Sequence, residues 1–234
     1  MMLNEIEANI WLYEGSTVNF YGFPFPTRMT VVRLADGMLW IHSPAKLTNE
    51  LKQELLQLGD VAYLVAPNKL HHLFLPEWID AFPEALKFSS PGLAKKRKDV
   101  KFDRELTDTA EKEWATEIKQ TVFRGSPAME EVIFFHIPSK TLILTDLIEN
   151  FKPSGLNGWQ RMLARSAGIL YPNGKMPIDW RLSFLFGNKN KARQSLNTIL
   201  SWHPENVVIS HGECVFGNGT KFVKDSFLWL NRDT

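Results

Sequence analysis

Along this chain, blocks in which apolar positions alternate every second residue give way to blocks in which they recur every three or four. The first third is of the strand type. ANIWLYEG is followed by RMTVVRLADGMLWIHSP, where Asp36-Gly37 between two β-rich runs predicts a hairpin turn of the primed type. KLTNELKQELLQLG then changes period: Thr48 or Asn49 is the N-cap, leucines stand at 51, 55, 56 and 58, and Gly59 is a stop, so an amphipathic helix is predicted. VAYLVAP is short, continuously apolar and partly β-branched, as a strand buried on both faces is. Strand, helix and strand in this order imply a right-handed crossover between parallel strands.

The same rhythm continues with LPEWIDAFP as a short helix between prolines and ALKFSSPGL as strand and turn. VKFDREL, ATEIKQTVF and EEVIFFHIPSKTLILTDLI read as strands, the last with a hairpin turn at Pro138-Ser139-Lys140. NGWQRMLARSAGIL and KARQSLNTILSWHP are helical in period, separated by the loop YPNGKMPIDW. NVVISHGECVFG is a final strand and turn, and TKFVKDSFLWLN a closing helix. This order predicts an α/β fold: one domain over residues 1–234 built of two αβ halves that meet near residue 100, with two sheets between helices.

Composition narrows the function classes. With 44% apolar and 23% charged residues the chain suits an ordinary globular core, and 27 Lys and Arg against 26 Asp and Glu leave a net charge of +1. No chain-wide field draws it to nucleic acid or to a membrane, and the basic run KKRK at 95–98 reads as a solvated loop. A single cysteine, Cys214, excludes an internal disulfide and a thiolate cluster, so any metal is held by His, Asp or Glu. The start MMLNEIEANIWLYEG has acidic residues where a secretory signal carries positive charge, and no apolar run is long enough to span a bilayer, so a cytoplasmic location is expected.

In α/β sheets ligands collect beyond the carboxyl ends of strands. The polar residues there are His42 and Ser43 after GMLWI, Asn68 through His72 after VAYLVAP, Asp146 after TLILT, and His211 after NVVIS. Each has a structural use when taken alone: His42 as a turn residue, His71 and His72 as a helix start, Asp146 as a cap, His211 as a turn residue beside Gly212. Together they form one constellation if the strands are neighbours.

In their order the stretches APNKLHH, FRGSPAMEE, LILTD and ISHGE resemble the metallo-β-lactamase superfamily. PNKLHH, EEVIFFHIPSKTLILTDL and SHGE more narrowly resemble its DUF4336 branch. The superfamily's strand-end motif T-H-x-H-x-D-H is matched incompletely: Pro67 and Lys69 stand at its first two metal histidines, and Ser126 at the third, in the later hairpin. His72 matches the fourth histidine, Asp146 the bridging aspartate and His211 the last histidine, while His71 occupies the position of the loop aspartate.

The resemblance implies a four-layer αβ/βα sandwich and a mononuclear metal-dependent hydrolase acting on a small molecule. His71, His72, Asp146 and His211 would hold one divalent ion, zinc before iron. Three imidazoles and a carboxylate suit either metal. Asp146 would also orient the attacking water, and whichever of Glu130 and Glu131 faces inward, assigned here as Glu131, would be a further ligand or general base. Lys69 would bind an anionic substrate group, or else pair with Asp146 and leave a metal-free binding or scaffold protein. The segment from Phe151 to Trp180, with Trp159, Arg161, Arg165 and Tyr171, is expected to form a lid or an interface patch.

Overall fold

The strands of the first sheet pair in the order in which the chain makes them. The computed structural model describes residues 2–20 and 22–230. The chain divides into two units, Met1–Thr107 with Glu111–Glu117, and Asp108–Ala110 with Ile118–Thr234. In the first unit β1 (Leu3–Glu7), β2 (Ile10–Phe20), β3 (Phe23–Arg33) and β4 (Leu39–His42) form an antiparallel meander. From β4 onward, β5 (Val61–Ala66), β6 (Leu86–Ser89) and β7 (Arg104–Glu105) run parallel. Helices α1 (Asn49–Leu58), α2 (Leu75–Ala81) and α3 (Leu93–Lys96) lie on the connections between them.

The local chemistry follows the sequence closely here. The Thr48 hydroxyl accepts the Leu51 amide at 3.2 Å and starts α1, which turns Leu51 and Leu55 into the core. The hairpin between β3 and β4 departs from the two-residue primed turn. Gly37 N donates to the Leu34 carbonyl and Leu34 N to the Met38 carbonyl, both at 2.9 Å, so three residues, 35 to 37, make the loop. Gly37 has φ 85°, whereas Asp36 has no positive φ and instead accepts the Met38 amide at 3.0 Å. A primed turn needs left-handed backbone at both central residues, and the Asp36 side-chain bond supports the alternative. The strand predicted for VKFDREL contracts to β7.

One face of the first sheet is sealed by Trp114, whose ring meets Phe88 at 4.7 Å, Tyr63 at 5.5 Å and Trp40 at 6.2 Å in edge-to-face arrangements. Trp114 is fully buried. Trp114→Ala is therefore expected to lower stability by about 3–5 kcal/mol, measured as a shift of the urea midpoint. A midpoint equal to the wild type's would show that this cluster is not the anchor of the face.

In the second unit β8 (Ile118–Phe123), β9 (Glu131–His136), β10 (Thr141–Leu144) and β11 (Asn206–Ile209) form a sheet in the order β11-β10-β9-β8. The β9–β10 hairpin turns where Pro138-Ser139-Lys140 predicts, and β10 and β11 are parallel. Around the sheet run α4 (Gly158–Ala167), α5 (Ile178–Ser183), α6 (Lys189–Ser201) and α7 (Gly219–Ser226). Helix α4 opens with a capping box between Asn157 and Gln160 and closes at left-handed Gly168. Ala192, Leu196 and Ile199 of α6 join Phe123, Phe135, Leu142 and Val207 in a continuous core. The closing helix predicted as TKFVKDSFLWLN ends at Ser226 and is followed by a 3-10 turn, Leu228–Leu230, while its last residue, Asn231, lies outside the described residues. Among the described residues no helix is long and apolar enough to cross a membrane.

Candidate functional site

The carboxyl ends of β4 and β5 in the first unit present the residues singled out in the sequence. Asn68, fully buried just past β5, accepts the backbone amides of Leu70 at 2.8 Å and His71 at 2.9 Å through one side-chain oxygen, which folds PNKLHH into a tight loop. His71 is thereby directed onto Ser43, with its Nδ1 2.6 Å from the Ser43 hydroxyl. Ser43 has φ 54°, a left-handed backbone uncommon for serine, held by its amide bond to the Val65 carbonyl at 3.0 Å. The Ser43 bond fixes the orientation of the His71 ring.

His72 is placed differently. Arg97 Nη1 can only donate, so His72 Nδ1 accepts at 2.7 Å, and Nε2 carries the proton and donates to the Lys69 carbonyl at 3.1 Å. Burial, and then the charges of Lys96 and Arg97, hold its pKa below the ordinary histidine value. A metal at His72 Nδ1 would have to displace Arg97, and one at Nε2 the Lys69 carbonyl. The run read as a solvated loop is thus partly structural, since Lys96 Nζ also donates to the Lys69 carbonyl at 2.6 Å. The Lys69 ammonium lies over Gly92, where a Cβ would stand 3.1 Å from Nζ. His42 is buried and stacked on Trp40 at 5.4 Å. Burial, with His71 adding in the same direction, pushes its pKa down to about 3, so it is neutral at physiological pH.

In the second unit, Asp146 follows β10 and His211 follows β11, adjacent parallel strands whose ends lie side by side. Both residues are buried, and Asp146 Oδ1 stands 3.1 Å from His211 Nε2. Phe151 stacks parallel to the His211 ring at 6.5 Å, and the His211 carbonyl accepts the Asn150 amide at 3.0 Å. Gly212, at φ 109°, permits that approach, because a Cβ there would lie 2.1 Å from the Asn150 oxygen. Beneath Asp146, the fully buried Glu131 accepts the Thr145 amide at 2.7 Å and the Asp146 amide at 2.9 Å, one on each oxygen. Of the two candidate glutamates it is Glu131 that points inward, yet both its oxygens serve backbone amides. Glu131 thus holds the backbone amide of Asp146 in place.

Ser126 bonds Ser183 at 2.7 Å and caps the amides of Ala128 and Met129. Glu149 is a member of this neighbourhood that the sequence reading passed over. Burial, then the Asp146 and Asp179 charges, raise its pKa well above the ordinary glutamate value. Its only signal in the sequence is a lone acid in LIENF, three residues past Asp146.

Two ligand atoms bound about 2.0–2.1 Å from a tetrahedral ion stand roughly 3.3 Å apart. The 3.1 Å separation of Asp146 Oδ1 and His211 Nε2 fits that requirement. A family model described as a domain of unknown function, DUF4336, matches residues 7–156, well over half of the chain. The chain belongs to the DUF4336 family. The DUF4336 chain superposes on the metallo-β-lactamase from Pontibacter korlensis with TM-score 0.62 at 14% identity, covering 99% of each chain. It matches the metallo-β-lactamase from Hirschia baltica with TM-score 0.62 at 10% identity, covering 99% of this chain and 98% of that one. For the FIM-1 metallo-β-lactamase of Pseudomonas aeruginosa, solved in a mono-zinc form, the values are 0.61 and 8%, covering 97% and 93%. At these identities the likeness shows the fold, and the DUF4336 chain has the metallo-β-lactamase fold that the order of its stretches predicts. No curated protein matches the DUF4336 chain in sequence.

Proposed function

We propose that this protein is a metal-dependent hydrolase that binds a single divalent ion, zinc in preference to iron, on Asp146 and His211. The observation that carries this reading is the buried Asp146–His211 pair at 3.1 Å, beyond the carboxyl ends of adjacent parallel strands. The fold shared with metallo-β-lactamases supports it. An ion bound there would act as a Lewis acid on a carbonyl or phosphoryl oxygen and make water more acidic. Asp146 orients the water, and Glu131 holds Asp146 through the backbone. Lys69 supplies positive charge for an anionic substrate group.

A second reading has one specific support. The same 3.1 Å is also the length of an ordinary N–H to oxygen hydrogen bond, so Asp146 and His211 suit a structural ion pair in a binding protein without catalysis.

Elemental analysis of untagged protein separates the two. The wild type is expected to hold about one equivalent of zinc or iron, and an Asp146→Ala/His211→Ala double variant none. Wild-type protein that stays metal-free after incubation with zinc would overturn the hydrolase reading in favour of the ion pair.

A further inference from the structure

The segment from Gly158 to Phe186 contains four Lys and Arg (Arg161, Arg165, Lys175 and Arg181) and a single acidic residue, Asp179. Its net charge is +3 in a chain whose total is +1, so the remaining residues carry −2. The same segment holds the densest exposure of large apolar side chains in the described structure. On α4, Trp159, Met162 and Leu163 are 47%, 64% and 49% exposed, while Gln160 and Ala164 face the core. On α5 and the turn after it, Ile178, Leu182, Leu185 and Phe186 are 44%, 55%, 72% and 87% exposed, while Trp180 and Phe184 are buried.

The spacing of these residues is helical, at i, i+3 and i+4 on α4 and at i, i+4, i+7 and i+8 from Ile178. Each element therefore has a buried stripe and a second apolar stripe turned to solvent, where a surface helix ordinarily places polar residues. Arg181 donates to the Ala167 carbonyl and so ties α5 to the end of α4. Arg161 and Arg165 are exposed beside the apolar stripe of α4. Protruding aromatic and aliphatic side chains flanked by cations are the composition of a segment that lies in a lipid interface.

We propose that α4, α5 and the turn to Phe186 form a docking face for an anionic phospholipid surface. Charge complementarity selects this occupant. A symmetric second copy would set the same basic face against itself, and like charges across such a contact are repulsive. Leu182, Leu185 and Phe186 have no use against a phosphate backbone, whereas each has one in an acyl layer. The chain-wide charge of +1 conceals this face because the excess of acids elsewhere cancels it. The inference does not depend on whether a metal is bound.

Flotation of the full chain with vesicles tests it, comparing phosphatidylcholine alone with phosphatidylcholine mixed with phosphatidylglycerol, at low and high salt. Binding to the anionic vesicles alone, weakened by salt, is expected. Leu185→Ser/Phe186→Ser and Arg161→Glu/Arg165→Glu should each weaken it at least about tenfold, with unchanged circular dichroism. No flotation at low salt, or flotation untouched by both variants, would overturn the proposal. A concentration-dependent dimer in sedimentation that Leu185→Ser/Phe186→Ser abolishes would overturn it too, and give the face to a second copy.

Discussion

Glu131→Ala is expected to destabilise the protein by about 2–6 kcal/mol, because two buried backbone amides lose their acceptor at about 1–3 kcal/mol each. The amides are those of Thr145 and Asp146, held at 2.7 and 2.9 Å by separate oxygens of one fully buried carboxylate. Glu131→Gln keeps one acceptor oxygen and sets an NH2 against the other amide, so it should fall between alanine and the wild type. Urea midpoints of the three proteins measure this. Both variants should also lower metal content, since the backbone under Asp146 loosens. An alanine variant within about 1 kcal/mol of the wild type would mean that water replaces the carboxylate and that Glu131 does not organise this strand end.

Acid is expected to destabilise the fold through two buried histidines. Burial holds His42 at about 3, helped by His71, and His136 at about 4. Both are neutral in the folded chain over a range where the unfolded chain, with ordinary values near 6.5, is protonated. Their contribution is therefore complete above about pH 6.5 and is lost as pH falls toward 4 for His136 and toward 3 for His42. Between pH 7.5 and 5 each loses about 2 kcal/mol, about 4 together, which is large beside a total stability of about 5–15 kcal/mol. Glu149 works in the opposite sense, because a raised carboxyl pKa favours the folded state as pH falls. Variants isolate the histidines from this opposing group. The wild type should lose about 2 kcal/mol more than His136→Asn between these pH values, and the same more than His42→Asn. Equal losses in wild type and variants would show that the imidazoles are hydrated and titrate normally.

The elements of this fold are legible in the sequence wherever one periodicity dominates. VAYLVAP reads as a doubly buried strand because no polar residue interrupts it, and it lies between two parallel neighbours. The α1 cap is visible in Thr48, whereas the Asn157–Gln160 capping box of α4 emerges only in the structure. Turn geometry is less legible, since Asp36-Gly37 suits either a two-residue or a three-residue loop and the choice lies in one side-chain bond. Donor sets are the least legible. That His72 accepts from Arg97, 25 residues on, and that Glu131 holds amides 14 and 15 residues on, follows from the folded path rather than from spacing. Spacing locates the residues at the strand ends; it says nothing of which lone pairs are already occupied.

The order of pairing within the two sheets also sets a sequence of assembly. In the first sheet each strand adds to the one made just before it, so pairing can proceed as the chain leaves the ribosome. In the second, β10 waits for β11, which begins at Asn206, long after Leu144. His211 follows that late strand directly. A nascent chain still lacking β11 has its Asp146 without His211 beside it, so the pair proposed to hold the ion is completed only once this late strand is in place.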